Sequence, residues 1–405
     1  GFRKNHGCHN VLVNFIENIK HSVDNGQIPC AVMTDLSRAF HCLPHRLVIA
    51  KMYAYGVSKN ACKLIMNYFC GRQQCVKIGN VTGEWLEIYK GTPQGSLFGP
   101  FMYNIFSNDL LMYMKELCSV YNYADDNTIM CVGSTLDDVK AKMSNAIDAM
   151  LKWFENNGLK ANADKFQLIY FGRNNNKQVR NITIGDVELL PQQNVKLLGV
   201  HIDSSLNFSQ HIAAICKKAA YKLNVLKRLS KTLSTKAKTV LFESFIMSYL
   251  SYCSDVWHFG DVSDARYIEK LQDKALKYIY NDFTSSYREL RKTSKRPPIF
   301  VLRLRSLLIE IYKCLSNIGP VYMKNLFTTK SMSYGIRNEF CLVLPSCKTV
   351  KYGTNSFRYQ GAKLWNSLDN DIKSLEFKTF KNTIHNWMPD ECHCNACFQC
   401  KIFNM

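Results

Sequence analysis

The chain has 405 residues, 47% of them hydrophobic, and carries 52 Lys and Arg against 32 Asp and Glu, a net charge of +20. That length suffices for two to four packed units, and the basic excess suits a polyanionic partner, with a membrane surface the weaker alternative. No run of about 18 apolar residues argues for a helical membrane span, and the apolar stretch 11–19 is interrupted by Asn14, Glu17 and Asn18, unlike a signal peptide. Seventeen Cys, an odd number scattered mostly through apolar runs, read as reduced core thiols of an intracellular protein.

In chain order, the patterning predicts a helix near Asn10–Val23, then an apolar strand ending in Asp35. Helices near His45–Tyr55 and Lys59–Cys70 follow, then a strand pair around Gln74–Ile78 and Trp85–Tyr89. An amphipathic helix runs from Phe101 to Met114, two β-prone arms flank Asp125–Asp126, and a helix at Leu136–Asn156 precedes a strand at Phe166–Phe171. Asn174 to Asn176 form a polar connector, and 181–203 read as short strands. From Phe208 the chain reads as mostly helical, with helices near Ala265–Tyr280 and Phe300–Leu315 parted by Pro297-Pro298. Residues 330–360 look polar and strand-like.

Three motifs carry chemistry. Tyr123-Ala124-Asp125-Asp126 reads as a β-hairpin with carboxylates at its turn. By itself such a dipeptide is a solvated turn; adjacent carboxylates repel unless cations lie beside them. Asp35 ends a buried apolar run, so a second strand end can face the hairpin. Such a cluster can hold two divalent ions about 3.5–4 Å apart for in-line phosphoryl chemistry. Between the two lies Gly91-Thr92-Pro93-Gln94-Gly95-Ser96, a tight loop in which Ser96 is placed to cap the helix that follows.

Asp35 with Phe40 five residues on, the Pro-Gln-Gly loop and Tyr-Ala-Asp-Asp, in that order, resemble a reverse transcriptase, most closely that of non-LTR (LINE-type) retrotransposons. Gly1 to Lys4, Thr34 to Phe40, Gly91 to Ser96, Trp153 to Lys165 and Val195 to Asp203 carry the likeness, which spans roughly residues 1–290. The resemblance implies an α+β right-hand polymerase palm, an antiparallel sheet with helices on one face. Incomplete fingers and a mostly helical thumb and C-terminal region would surround it. It divides the chain into partial fingers and palm (1–172), a β connection with the primer grip (173–205), a basic helical thumb (206–290) and a C-terminal region (291–405).

The implied activity is RNA-directed DNA polymerisation with two Mg²⁺ ions, extending a DNA primer on an RNA template from deoxynucleoside triphosphates. The implied location is nuclear and cytoplasmic, with no membrane partner. Asp35 and Asp125 match the metal ligands and Asp126 a supporting carboxylate. Phe40 matches the sugar-pocket aromatic, and Gln94, followed by Gly95, the loop against the incoming nucleotide. Lys165 matches the lysine that protonates leaving pyrophosphate. Two departures stand out: His41 where relatives often carry Asp, and a start at Gly1 without the basic finger elements. The second suggests a fragment or a truncated copy, and with it the alternative of an inactive relict that at most binds nucleic acid.

Lys217, Lys218, Lys222, Lys227, Arg228, Lys231, Lys236 and Lys238 accumulate with few acids and are expected to form a basic face tracking a phosphate backbone. In the tail, Cys392, Cys394, Cys397 and Cys400 are close enough to be candidate Zn²⁺ ligands, although their spacing fits no strong zinc pattern. A mobile thiol-rich tail is the other reading.

Overall fold

The structure is a computed structural model and describes residues 1–36, 39–93, 95–172, 180–260, 262–330 and 340–389. The expected connector at Asn174–Asn176 and the Cys-rich tail lie outside the described residues. The chain forms two compact units: residues 1–4 with 27–193, and 5–26 with 194–405. Helix α1 (Cys8–Asp24) therefore belongs with the C-terminal half, although strand β1 (Ile28–Thr34) follows it directly.

The first unit is built on a four-stranded antiparallel sheet. Its order is β6 (Ser119–Tyr123), β7 (Asp126–Gly133), β1, β8 (Gln167–Tyr170). Register aligns Cys30 with Cys131 and Tyr170, and Val32 with Ile129 and Leu168, so these six side chains share one face. That face enters the core with Met102, Phe106 and Leu110 of α4 (Phe98–Met114) and Met143, Ile147 and Phe154 of α5 (Leu136–Asn156). Val48 and Met52 of α2 (His45–Ala54) and Cys62 and Phe69 of α3 (Lys59–Phe69) complete it. Ala31 and Met33 on the opposite face are buried too, which explains why β1 reads as a continuous apolar run rather than an alternating one. Lys51 ties three helices together: it pairs with Asp109 at 2.8 Å, and its ammonium lies 4.6 Å and 4.8 Å from the ring centres of Phe106 and Trp153.

The expected strand pair after α3 is an interrupted hairpin. β2 (Gln73–Gln74) pairs with β5 (Leu86–Glu87), and β3 (Lys77–Ile78) with β4 (Val81–Thr82). β9 (Ile182–Ile184) and β10 (Val187–Leu189) form a further hairpin, whose Ile182, Ile184 and Leu189 join the core.

The second unit is mostly helical. After α1 it continues with the hairpin β11 (Asn194–Leu197) and β12 (Val200–Asp203). Then come α6 (Ser209–Leu229), α7 (Thr235–Phe242), a π-helical turn at Glu243–Met247, and two short helices, α8 (Ser248–Ser251) and α9 (Ser254–Trp257). α10 (Val262–Tyr280), α11 (Tyr287–Ser294), α12 (Ile299–Leu315), α13 (Val321–Lys324), α14 (Phe357–Asn366), α15 (Asn370–Lys373) and α16 (Phe377–Asn386) follow. α6 packs on α10, α12 on α14 and α16, and α1 on α9, α13 and α14.

Two expectations are corrected here. The described part of 330–360 is not strand-like: apart from one bridge between Thr329 and Leu342 it is irregular up to a π-helical turn at Val350–Thr354, and α14 starts at Phe357. The Thr349 hydroxyl caps that turn, and Asp24 accepts from the Lys348 and Thr349 amides, so side chains rather than a sheet satisfy this backbone. Lys238 does not belong to a solvated basic face. It is 1% exposed, and its ammonium donates to the carbonyls of Ser230 (3.2 Å) and Tyr278 (3.0 Å). Desolvation lowers its pKa.

Candidate active site

The site is assembled at one end of the first unit's sheet. Tyr123 pairs with Asp126, leaving Ala124 and Asp125 as a two-residue hairpin loop. Ala124 adopts φ 56°, a left-handed conformation unusual for a residue with a Cβ. Asn127, buried beneath the turn, donates from Nδ2 to the Asp125 carbonyl at 3.0 Å. Thr34 donates from Oγ1 to the Asn127 carbonyl at 3.1 Å, and Thr34 and Asn127 are also ladder partners. The last residue of β1 therefore braces the hairpin, and Asp35 emerges next to it.

The electrostatics register the gathering of charge. Partial desolvation, then the charges of Asp125 and Asp35, raise the Asp126 pKa above its ordinary value. Asp35 is 45% exposed and pairs with Lys165 at 3.4 Å. That lysine ends a 3-10 turn at Ala163–Lys165. The turn is held to the strand end by the Asn162 amide donating to the Asp35 carbonyl at 3.1 Å and by a bridge between Leu36 and Ala161. The structure thus brings Asp35, Asp125, Asp126 and Lys165 together.

Phe40 lies in a 3-10 turn at Ala39–His41, half-buried, stacked on Tyr103 of α4 at 4.6 Å. Tyr103 is 1% exposed; burial, then the Asp125 charge, pushes its phenol far above the usual range. Sequence reasoning missed Tyr103, Thr34 and Asn127. Only the helical period of α4 and the apolar periodicity of the strands mark them, and that signal says core rather than site. The Pro-Gln-Gly loop is latched to the Phe40 turn. The Thr92 amide donates to the Phe40 carbonyl at 3.1 Å, the Gly91 amide to the Leu43 carbonyl at 2.8 Å, and His45 Nε2 to the Gly91 carbonyl at 2.7 Å. Gly91 has φ 85°, and a Cβ there would meet the His41 carbonyl oxygen at 2.7 Å, so glycine is required on both counts. Ser96 Oγ accepts from the Gly99 amide at 3.0 Å at the start of α4, the expected cap. Gly95 has φ 78° and open space around it. Gln94 lies outside the described residues.

The donor set is compatible with Mg²⁺. Asp35, Asp125 and Asp126 offer hard carboxylate oxygen, and burial, then the charges of Asp125 and Asp35, raises the Asp126 pKa, a surrounding in which a nearby cation would favour the carboxylate. Among the described residues no three His, Cys, Asp or Glu side chains form a metal-binding group. Mg²⁺ usually takes only one or two carboxylates, with phosphates and water completing its shell, so an open pair of ligands is sufficient.

In the second unit, Lys217, Lys218, Lys227 and Arg228 of α6 are exposed and Lys222 is half-buried. Aromatics interleave with them: the Lys222 ammonium lies 5.8 Å from the exposed Tyr221 ring and 6.0 Å from that of exposed Phe245, and the Lys218 ammonium lies 5.9 Å from the half-buried Tyr249 ring. Among the described residues no helix is long and apolar enough to cross a membrane.

The family described as reverse transcriptase (RNA-dependent DNA polymerase) matches residues 1–202. The RNA-directed DNA polymerase from mobile element jockey of Drosophila melanogaster is 24% identical over 289 residues, covering 69% of this chain and 31% of that protein. The retrovirus-related Pol polyprotein from type-1 retrotransposable element R1 2 of Nasonia vitripennis is 25% identical over 198 residues, 47% of this chain and 48% of its own length. Among solved structures, apo telomerase from Candida tropicalis aligns at 14% identity with a TM-score of 0.42, covering 70% of this chain and 47% of that one. The chain spans about a third of the length of the jockey and BS polymerases it matches.

Proposed function

Because residues 1–202 belong to the reverse transcriptase (RNA-dependent DNA polymerase) family, we propose that the parent protein is the RNA-directed DNA polymerase of a non-LTR retrotransposon. On this reading it extends a DNA primer on an RNA template from deoxynucleoside triphosphates. One observation carries the proposal: the strand-end Asp35 and the hairpin-turn Asp125 share one end of an antiparallel sheet, with Lys165 3.4 Å from Asp35. In the proposed division of labour, residues 1–172 are partial fingers and palm, 173–205 the β connection with the primer grip, 206–290 the thumb, and 291–405 a C-terminal region. An intracellular site of action, nuclear and cytoplasmic, follows from the substrates.

Asp35 and Asp125 would hold Mg²⁺, with Asp126 in support. When bound, the two ions supply charge neutralisation for the triphosphate and acidify the primer hydroxyl. The remaining work belongs to the chain. Lys165, 3.4 Å from Asp35, would donate the proton to leaving pyrophosphate. Phe40, pinned against Tyr103, offers a rigid ring edge to the sugar. Gln94 and Gly95 are the proposed loop contacts to the nucleotide. Lys217, Lys218, Lys222, Lys227 and Arg228 would neutralise phosphates, and the interleaved aromatics suit a nucleic-acid surface. The tail cysteines Cys392, Cys394, Cys397 and Cys400 remain the proposed Zn²⁺ donors.

This chain is expected to extend oligo-dT on poly-rA with Mg²⁺ and deoxynucleotides. Failure to extend, with salt-sensitive RNA binding retained, would replace the polymerase with the non-catalytic relict. In the same assay Phe40→Ala should raise ribonucleotide incorporation relative to deoxynucleotide by roughly 10-fold or more, the order of about 1.4 kcal/mol of lost discrimination. Unchanged sugar preference would make Phe40 a core residue and nothing else.

A further inference from the structure

The second unit contains a cavity of about 810 Å³ whose walls carry Arg288, Arg291, Lys292, Lys295, Arg296 and Arg305. Glu243 is the one carboxylate among its lining residues, and it is ion-paired with Arg296. Six cations less one anion leave an excess of five positive charges, with His385 also at the wall.

The arrangement is built rather than incidental. Arg288, Arg291, Lys292 and Lys295 recur at i, i+3, i+4 and i+7, one face of α11 and its terminal turn. Like charges at such spacing destabilise an eight-residue helix. Glu289, the acid on this helix, is turned away into a capping box with Ser286: its carboxylate accepts from the Ser286 amide at 2.7 Å. Lys295 takes a left-handed conformation, φ 53°, that ends the helix and carries the chain on to Arg296. Arg305 approaches from α12; it is buried, and its Nε donates to the Trp387 carbonyl at 2.8 Å. The Arg291 guanidinium lies 4.9 Å from the Tyr287 ring, while its buried Nε has no hydrogen-bond partner among the described residues. A solvated helical face, the ordinary reading of a basic run, would not close around a buried arginine from a second helix.

The chemistry selects phosphate. Arginine forks match phosphate oxygens bidentately. No Phe, Tyr or Trp lines the cavity, whose one ring is the His385 imidazole, and the adjacent rings of Tyr287 and Phe242 are covered by Arg291 and Arg296. Bases therefore find little to stack on beyond that one imidazole. Six cations exceed what a single phosphate needs and suit several in succession, while a concave site admits a single strand more readily than a duplex. We propose that this cavity holds consecutive backbone phosphates of single-stranded nucleic acid, a binding site additional to the carboxylate centre and to the basic face of α6. The proposal goes beyond the polymerase reading and does not depend on it.

The test uses the full chain, a fluorescein-labelled 20-nucleotide oligo-U RNA, and EDTA to silence any polymerisation, so that a failed extension assay leaves it standing. Replacing Arg288, Lys292 and Lys295, all exposed, by Gln should reduce the slope of log affinity against log salt by about 2, at about 0.7 per lost phosphate contact on a single strand. An unchanged slope and affinity would overturn the proposal. On the wild-type chain, RNA should protect Lys292 and Lys295 from acetylation, read residue by residue by mass spectrometry; this arm decides should the triple variant misfold. Tripolyphosphate protecting both lysines where the RNA does not would make this a small-polyphosphate site and overturn the nucleic-acid assignment. A 20-base-pair duplex protecting as well as the single strand would overturn the choice of strand.

Discussion

Asp125→Asn is expected to reduce primer extension by at least about 10³-fold, the scale set by removing a principal electrostatic contact to the reacting phosphate, while leaving RNA affinity within about twofold. The substitution keeps the side chain's volume, so the hairpin turn and the Asn127 bond to the Asp125 carbonyl stay in place. What it removes is charge. In EDTA that loss should stabilise the fold, because Asp125 is one of the two neighbouring charges that raise the Asp126 pKa. The sign follows from linkage: a carboxyl with a raised folded pKa contributes stability at low pH that is lost as pH rises from the unfolded value, near 3.8, through the folded one. Asp125→Asn should therefore unfold at a higher temperature than the wild type at pH 7 without metal, and gain less from added Mg²⁺. Full extension by the variant would end the assignment of Asp125. A melting temperature lowered in EDTA would show that the carboxylates do not form the repulsive cluster described here.

Glu17→Ala is expected to cost about 3–5 kcal/mol of stability, the penalty for removing one partner from a buried charged network. Glu17 is 2% exposed, on α1. Its two oxygens accept from the Phe357 and Arg358 amides at 2.8 Å and 2.9 Å, the first two residues of α14. The Ser356 hydroxyl accepts from Tyr359, so three of the otherwise unpaired amides at that helix start are satisfied. The Arg358 guanidinium lies 3.8 Å from Glu17 and donates to Asn18 at 2.8 Å. Truncation strands the buried Phe357 amide and the part-buried Arg358 amide and leaves the Arg358 guanidinium with Asn18 alone. Urea unfolding monitored by tryptophan fluorescence reads the loss, and Glu17→Gln, which retains an acceptor, should recover part of it. A loss under about 1 kcal/mol would mean that water replaces the carboxylate and that α1 is not fastened to the C-terminal unit through this residue.

Much of the site was legible because its signals are local. An apolar run stopping at Asp35, an acidic Asp125-Asp126 turn between β-prone arms, and a Pro-Gly loop ahead of an amphipathic helix are each statements about a dozen residues. Backbone preference and side-chain period decide them: β1 and the hairpin form, with the turn one residue ahead of the acidic pair, and α4 starts at Phe98 rather than Phe101, with Ser96 Oγ accepting from the Gly99 amide. The cluster at 288–296 was not singled out from the sequence, because a basic run carries no sign of whether it faces solvent or a cavity. Lys238 shows the same blindness in reverse: it belongs by sequence to the basic series between Lys217 and Lys238, and its ammonium is spent on two carbonyls in the interior.

Sequence by itself determined the chemistry available to this protein: which carboxylates end strands, which loop carries the glycines, and which family residues 1–202 match. Tertiary structure alone decided which of those groups meet. It set Lys165 beside Asp35 through a backbone bond from Asn162, stacked Phe40 on Tyr103, assigned α1 to the far half of the chain through Glu17 and Asp24, and closed Arg305 over the basic stripe of α11. The reason is physical. Local order follows from torsional preference and hydrophobic period, which act over neighbouring residues. Burial, pairing and the charge felt by a carboxylate depend on groups tens to hundreds of residues away, and only packing brings those within reach.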